Sequence, residues 1–245
     1  MSSTLQTQPA TLLTSPGPGE TLACLVRHAQ TEWNRERRFQ GQLDVPLDAE
    51  GVEQSKHLAE WLSEQPVHFT ALYASDLARA RHTAETIGER LGLSPRLVPA
   101  LREIDAGEWQ GLLTTQIEDL YPGQMARWHR EANYFRLPGG ETIPEVRSRV
   151  LAWYAEAIKA HRGEAIVVVS HGLAIRSLMS ALEGWDVSDT QRMRMASMGN
   201  TGVTALLADH ASNRSSVLFY NSLSHLEPIT PPGSHVEGTV EPPVV

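Results

Sequence analysis

Two histidines follow directly on short apolar runs and are the first candidates for chemistry in this chain. Residues 21–26 (TLACLV) lead into Arg27 and His28, and residues 165–169 (AIVVV) lead through one serine to His171. Ligands of an open α/β sheet bind at the carboxyl ends of its strands, so both imidazoles can meet in one crevice. An arginine and two histidines there are suited to binding a phosphate group and to transferring it.

The segment after His171 strengthens this interpretation. A helical pattern begins at Leu173, and such a helix directs free backbone N–H groups and its positive dipole end toward the crevice. For either histidine alone, a buried structural role is the simpler interpretation. Arg27 beside His28 and the helix start beside His171 together favour a catalytic phosphate site.

Several other phosphate and metal chemistries are excluded by missing motifs. The chain has no G-x-x-x-x-G-K-[ST] loop, no G-x-G-x-x-G, no G-x-S-x-G and no H-E-x-x-H. A cysteine-phosphatase loop is also absent, because the residue six positions after Cys24 is Gln30 rather than arginine. The single cysteine is therefore expected to be a buried strand residue.

Five motifs in order resemble the histidine phosphatase superfamily, which includes the cofactor-dependent phosphoglycerate mutases. LVRHAQTEWN resembles the family's strand end and implies that His28 is the phosphoryl-accepting nucleophile, although Ala29 stands where the family usually has glycine. FQGQLDVPLDAEG follows, and ASDLARARHTAETI then implies a second phosphate-binding arginine at Arg79. LREIDAGEWQG implies that Glu103 is the proton donor, and VVSHG supplies His171.

The chemistry of these side chains agrees with that resemblance. Arg27 and Arg79 offer planar forks that match paired phosphate oxygens. His171 and the backbone amide of Gly172 can add further donors. The two guanidiniums disfavour the cationic form of His28, whose unperturbed pKa is about 6.5. His28 is therefore expected to be a neutral nucleophile, with its tautomer fixed by a backbone carbonyl.

Glu103 is the expected acid and base. The leaving alkoxide needs a proton, and a bound phosphate dianion favours the protonated form of a neighbouring carboxyl. The same group, once ionised, can activate water against phosphohistidine. The competing interpretation is that Glu103 is a surface carboxylate paired with Arg102.

The resemblance also places Asn34 and Gln40 along the phosphate or substrate pocket, against the alternative of a structural turn. In the 113–141 segment, several aromatic side chains can form either a lid over the leaving group or packing against the sheet. These are Trp128, His129, Tyr134 and Phe135. Outside the expected site, five histidines are predicted to be exposed: His57, His82, His161, His210 and His235.

The expected function is that of a phosphomonoesterase acting through phosphorylated His28 on small phosphorylated metabolites, with no metal and no cofactor. The span from Glu103 to His171 lacks the longer insertion of the mutases, which favours the phosphatase branch. A cofactor-dependent phosphoglycerate mutase is the first alternative, and an inactive phosphate-binding regulatory module is the second. Sugar phosphates, phosphoglycerate derivatives, phosphoserine and nucleotide-precursor phosphates remain open as substrates.

Apolar runs that alternate with helical patterns predict an α/β, three-layer sandwich whose central, mostly parallel sheet is flanked by helices. A further strand is predicted at 71–74, and a hairpin after Thr201. Helices are predicted from Asp48, from Asp76 to a Gly92 cap, and from Thr142, where Thr142 and Glu145 have capping-box spacing.

Composition bounds the remaining properties. The chain has 245 residues, 41% of them hydrophobic, and a net charge of −8. This acidic balance, with no basic tract, argues against nucleic-acid binding.

No apolar run approaches the roughly 20 residues that span a membrane, so a cytoplasmic protein is expected. Residues 1–20 and 227–245 are expected to be flexible tails around one domain at 21–226. The sequence of this domain is compatible with a homodimer.

Overall fold

One six-stranded sheet forms the centre of the computed structural model, which describes residues 13–186, 189 and 197–226. The strand order is β3-β2-β4-β1-β5-β6. The strands are β1 (Glu20–Arg27), β2 (Phe69–Ala74), β3 (Arg96–Leu97), β4 (Ala165–Ser170), β5 (Val203–Asp209) and β6 (Arg214–Ser222). The first four pair in parallel, whereas β5 joins β1 and β6 antiparallel. The predicted α/β sheet and its terminal hairpin are confirmed.

Helices cover both faces of this sheet. Within the described residues they are α1 (Glu32–Arg35), α2 (Ala49–Glu64), α3 (Ala78–Leu91), α4 (Thr114–Leu120), α5 (Gln124–Arg130), α6 (Ile143–Ala160) and α7 (Gly172–Leu182). The sequence did not predict α1, α4 and α5, because helices of four to seven residues are too short to show a clear hydrophobic period.

The ends of the long helices follow the predicted capping chemistry. The Asp48 side chain accepts from the N–H of Gly51 at 2.8 Å, and Thr142 and Glu145 form a reciprocal capping box. Gly92 ends α3 with a φ of 70°. Glycine adopts this left-handed conformation without the steric penalty of a Cβ atom.

The start of α3 differs from the prediction. The helix begins at Ala78 rather than at Asp76, and its N-cap residue Leu77 makes no side-chain capping bond. Asp76 instead accepts from Nε and Nη2 of Arg102, at 2.7 and 2.5 Å. A charge-assisted pair with a distant arginine therefore replaces the local capping role.

Two hydrophobic cores lie on opposite faces of the sheet because the side chains of β1 alternate. Ala23 and Leu25 face the core formed with α6 and α7, whereas Leu22, Cys24 and Val26 face the core formed with α2 and α3. This arrangement is the expected three-layer sandwich. Burial raises the pKa of the Cys24 thiol to about 12, which agrees with a structural role for this residue.

The folded region begins earlier than composition indicated. Leu13 is only 1% exposed, and its N–H donates to Oε1 of Gln65 at 3.0 Å, while Glu20 already lies in β1. Residues 13–20, assigned to a tail from their Ser, Pro and Gly content, therefore pack against the domain. Residues 1–12 and the expected tail at 227–245 lie outside the described residues.

No helix within the described residues combines the length and the apolar character that crossing a bilayer requires.

Candidate active site

The parallel register of β1 and β4 brings the two histidines together. Arg27 lies opposite Ser170, so both strands end at the same level of the sheet. The N–H of His28 donates to the carbonyl of Ser170 at 2.9 Å, and the ring centroids of His28 and His171 are 5.1 Å apart. The two strand ends therefore place both imidazoles at one point of the sheet.

The His28 ring has a defined tautomer. Its Nδ1 lies 2.7 Å from the carbonyl oxygen of Ala29, and a carbonyl oxygen can only accept, so Nδ1 carries the proton. The opposite nitrogen, Nε2, is left with a lone pair in the neutral ring. The His28 carbonyl accepts from Nδ2 of Asn200 at 3.0 Å, which fixes the backbone behind the ring.

Ala29, which stands where the resembling family usually has glycine, fits without strain. The residue is fully buried and is not among the residues with a left-handed backbone. Its N–H donates to Oγ1 of Thr83 at 3.1 Å, and that hydroxyl donates to the carbonyl of Arg79 at 2.7 Å. The loop after His28 is therefore tied to the helix that carries Arg79.

Burial and two neighbouring cations act together on His28. Its pKa lies well below the ordinary value of 6.5, first because the ring is desolvated and then because Arg79 and Arg27 repel a positive ring. Burial also lowers the pKa of each arginine, to about 10, which leaves both protonated at neutral pH. A neutral imidazole thus lies beside two positive groups.

This charge state gives a direct spectroscopic prediction. Because the pKa of His28 is lowered, its neutral form persists as the pH falls below 6.5. We expect ¹⁵N NMR of histidine-labelled protein at pH 5.5 to show His28 as a neutral ring protonated on Nδ1. The His28→Asn variant assigns the signal. An imidazolium signal that appears with a midpoint near pH 6.5 would contradict this account.

Arg79 and Arg27 are held rigidly. Arg79 is fully buried, and it donates through Nη1 to the carbonyl of Leu43 at 2.8 Å and through Nη2 to that of Gly41 at 2.7 Å. Arg27 donates through Nη1 to the carbonyl of Met198. Each guanidinium is therefore oriented by backbone carbonyls before any ligand binds, which favours a preorganised anion site.

His171 is anchored through one ring nitrogen. Its Nε2 lies 2.8 Å from Oγ of Ser75, and burial, followed by the charges of Arg79, His28 and Arg27, lowers its pKa well below 6.5. Like His28, it is neutral at physiological pH. A neutral ring with one anchored nitrogen has a second nitrogen for a ligand.

Unsatisfied polar atoms are concentrated at this point. Among the described residues, buried side-chain atoms without a hydrogen-bond partner include Nε of Arg27, Nε of Arg79, Nδ1 of His171 and Oε1 of Gln40. Buried polar atoms are normally paired, so such a group needs an explanation. All four atoms belong to side chains that the sequence predicted to line the phosphate or substrate pocket, and a polar ligand would satisfy them.

The carboxylate of Glu103 lies against the N-terminal end of α7. Its Oε2 accepts from the N–H of Leu173 at 3.0 Å, and its Oε1 accepts from Ala174 at 3.1 Å and from Ile104 at 2.9 Å. The carboxylate thus caps the helix that follows His171. The alternative pairing with Arg102 is wrong, since that arginine binds Asp76.

Asn34 and Gln40 differ in their contacts. Asn34 is the third residue of α1, and its Oδ1 accepts from the N–H and hydroxyl of Thr31 and from Nδ2 of Asn200 at 3.2 Å. Its oxygen therefore has the structural turn role, which leaves Nδ2 as its donor for a ligand. Gln40 is buried beside Gly41, the residue that Arg79 holds.

The aromatic residues of the 113–141 segment mostly pack inside the molecule. Trp128 makes edge contacts with Phe39 and Trp109, at centroid distances of 5.7 and 5.9 Å, and Phe135 is buried. Tyr134, at 87% exposure, projects into solvent, and His129 is exposed as well. Packing, the second of the two interpretations, therefore describes Trp128 and Phe135 but not the other two.

Three residues near the site were not found from the sequence, and two of them had no recognisable signal. Ser75 and Asn200 act through single hydrogen bonds to His171 and to the His28 backbone. The pKa of Arg176, on α7, is lowered by burial, and the charge of Glu103 opposes this shift. Arg176 therefore adds a cation near the Glu103 carboxylate. The spacing on α7 could have indicated it, because Arg176 lies one turn beyond Gly172.

The prediction of exposed histidines is correct for His57 and His82 but not for His161 and His210. His57 and His82 are exposed, but His161 is buried between Tyr73 and Glu164, at 2.8 and 2.6 Å. A hydroxyl and a carboxylate satisfy both ring nitrogens, which allows its burial. His210 is half-buried, and His235 lies outside the described residues.

Comparison with known proteins gives consistent matches. Residues 23–221 match the family model of the histidine phosphatase superfamily, branch 1. The chain is 38% identical to phosphoserine phosphatase 1 of Hydrogenobacter thermophilus over 164 residues, which cover 67% of this chain and 77% of that protein. It is 36% identical to a probable phosphoglycerate mutase of an Enterobacter species over 171 residues, which cover 70% and 79% of the two chains.

A solved structure with a similar fold is that of a mycobacterial glucosyl-3-phosphoglycerate phosphatase. It aligns with a TM-score of 0.74 at 32% identity, over 83% of this chain and 99% of that chain.

Proposed function

The chain belongs to the histidine phosphatase superfamily and is a phosphatase, and from this premise we propose that it hydrolyses small phosphomonoesters through a phosphohistidine on His28. The observation that carries the proposal is the His28 ring itself. It is buried and neutral, with Nδ1 bonded to a carbonyl and Nε2 carrying a lone pair, beside two guanidiniums. This is the state that a nitrogen nucleophile for phosphorus requires.

In the first step, Nε2 of His28 attacks the phosphorus atom. An N–P bond forms as the P–O bond to the leaving group breaks, and Glu103 gives its proton to the leaving oxygen. Arg27 and Arg79 stabilise the negative charge on the transferring oxygens, and His171 and the N–H of Gly172 add donors. Gly172 is the first residue of α7, whose initial N–H groups have no partner within the helix.

In the second step, Glu103 acts as the base. It takes a proton from water as the water oxygen bonds to phosphorus and the N–P bond breaks, which restores the neutral ring and releases phosphate. No metal takes part in this scheme, because the guanidiniums supply the positive charge. Full activity in the presence of EDTA is the expected result, and a loss restored by a divalent cation would contradict it.

Glu103→Gln tests the acid role through the choice of leaving group. The variant should lower kcat/KM for an alkyl phosphate by about 10²- to 10³-fold, because general acid catalysis contributes on that order. For 4-nitrophenyl phosphate the loss in kcat/KM should be only a few-fold, since 4-nitrophenolate leaves without a proton. Steady-state phosphate release from both substrates is the measurement.

Glu89→Gln is the matched control, because Glu89 is an exposed glutamate on α3. It should leave both values unchanged. Equal losses for the two substrates in Glu103→Gln would remove Glu103 from the acid role.

The proposed substrates are small phosphorylated acids. Relatives are named for phosphoserine and for glucosyl-3-phosphoglycerate, both of which carry a carboxylate near the phosphate ester. A panel with phosphoserine, 3-phosphoglycerate, sugar phosphates and nucleotide precursors should show the highest kcat/KM among the carboxylate-bearing esters.

Phosphoglycerate mutase activity is the second candidate, because another relative is named for it. A mutase passes the phosphoryl group from histidine to a hydroxyl of the bound acid rather than to water. Interconversion of 3- and 2-phosphoglycerate primed by a bisphosphate distinguishes the two. We expect phosphate release without interconversion.

A further inference from the structure

The proposed acid and base lies in a stretch without regular secondary structure. Glu103 follows a short 3₁₀ turn at Pro99–Leu101 and precedes another at Gly107–Trp109. Loops are generally more mobile than the elements they connect, whereas proton transfer needs a side chain placed within a fraction of an ångström. Some other part of the molecule must therefore hold this loop.

Arg149, on α6, provides the largest set of bonds to the loop. Its Nη1 donates to the carbonyls of Ala100 and Arg102 at 2.9 and 2.6 Å, and its Nη2 donates to that of Glu103 at 2.9 Å. Its Nε and Nη2 also donate to the Glu141 carboxylate at 3.0 and 2.9 Å. A guanidinium has five N–H donors, so none remains for a substrate.

Arg149 and Glu141 together form a clamp around the loop, with Glu141 on the other side. Its Oε2 accepts from the N–H of Asp105 at 2.9 Å, and its own N–H donates to the Asp105 carbonyl at 2.9 Å. The neighbouring Gly140 packs so closely that a Cβ atom there would lie 2.2 Å from that carbonyl oxygen. The backbone is thus held at residues 100, 102, 103 and 105.

We propose that Arg149, oriented by Glu141, is a positioning residue that sets the Glu103 carboxylate for proton transfer. The inference rests on the acid–base role of Glu103 proposed above. Without the clamp, the loop keeps its connection to α7 through the Glu103 carboxylate, but its backbone loses three donors at once. Proton delivery to the leaving oxygen then becomes inaccurate, whereas the bonds of the His28 ring and carbonyl, to Ala29 and Asn200, do not involve this loop.

Arg149→Lys is the principal test, because lysine retains the charge and cannot reproduce the five-bond fork. We expect kcat/KM for an alkyl phosphate to fall by about 10- to 100-fold, since misplacement by 1 Å can cost 10²-fold. For 4-nitrophenyl phosphate the loss should stay below about threefold. Equal losses for the two substrates would show a general structural defect and overturn the proposal.

A double variant separates this inference from the proposed function. If Arg149 acts through Glu103, adding Arg149→Lys to Glu103→Gln should cause no further loss with the alkyl phosphate, because residues that act as a unit are not additive. Independent, multiplying losses would overturn the positioning role. If Glu103→Gln itself shows no dependence on the leaving group, the proposed acid role fails instead.

Arg90→Lys is the matched control. Arg90 on α3 also donates from two nitrogens to one carboxylate, that of Glu60 on α2, at 2.8 and 3.1 Å, but both side chains are exposed. This variant should keep both kcat/KM values. Should Arg149→Lys fail to fold, Glu141→Gln carries the test, with the same selective loss expected and an equal loss contradicting the proposal.

Discussion

We expect the His28→Ala variant to lose at least about 10⁴-fold in kcat, a loss typical of removing a covalent nucleophile. The alanine side chain has no atom that can form the bond to phosphorus. Water would then have to attack the ester directly, without the lone pair that Nε2 of His28 holds in place. The measurement is phosphate release from 4-nitrophenyl phosphate, with thermal unfolding as a check that the variant is folded.

Binding should survive this change, which distinguishes lost chemistry from a lost site. Arg27, Arg79 and His171 remain, so inorganic phosphate should bind His28→Ala with an affinity within about tenfold of the native value. His82→Ala is the matched control, because His82 is exposed on α3 and should retain full activity. Substantial turnover by His28→Ala would refute the nucleophile assignment.

The second large effect is expected at Arg79. Arg79→Lys should reduce kcat/KM by about 10²- to 10³-fold, the scale for losing one oriented donor to a transition-state oxygen. Arg79 bonds the carbonyls of Leu43 and Gly41 from two separate nitrogens, whereas lysine carries all its donors on one nitrogen and cannot reproduce both bonds while also reaching phosphate. Phosphate affinity should fall together with turnover.

Arg81→Lys is the control for Arg79, since Arg81 lies on the same helix, partly exposed, 3.9 Å from Glu85. Exposed pairs of this kind contribute about 0–1 kcal/mol, so neither activity nor stability should change appreciably. An Arg79→Lys enzyme within threefold of native kcat/KM would show that this fork does not serve the transition state.

The local sequence predicted those parts of the fold that depend on local chemistry. The β-branched run at 165–169 and the capping residues Asp48 and Thr142 behave as expected, because strand burial and helix capping are determined within a few residues. Asp76 does not, since its partner Arg102 is distant in the chain. The burial of Leu13 was missed for the same reason. It depends on distant residues, namely Gln65 at the end of α2 and the core that α2 helps to form.

The candidate site shows the same division. The residues at strand ends, Arg27, His28 and His171, were found because the sheet itself delivers them to one place. The residues that orient them were not found. Arg149 appears in sequence as one more polar residue on an amphipathic helix, and only the folded chain brings its guanidinium to the loop of Glu103.

Trapping the covalent intermediate tests the central claim most directly. In Glu103→Gln, 4-nitrophenyl phosphate should still phosphorylate the enzyme, whereas hydrolysis of the intermediate lacks its base, so a phosphoenzyme should accumulate after rapid quenching. We predict close to one phosphate per chain on the peptide that contains His28, stable in alkali and labile in acid as a phosphoramidate is. Phosphate on another residue, or 4-nitrophenol release with no labelled protein, would contradict the account.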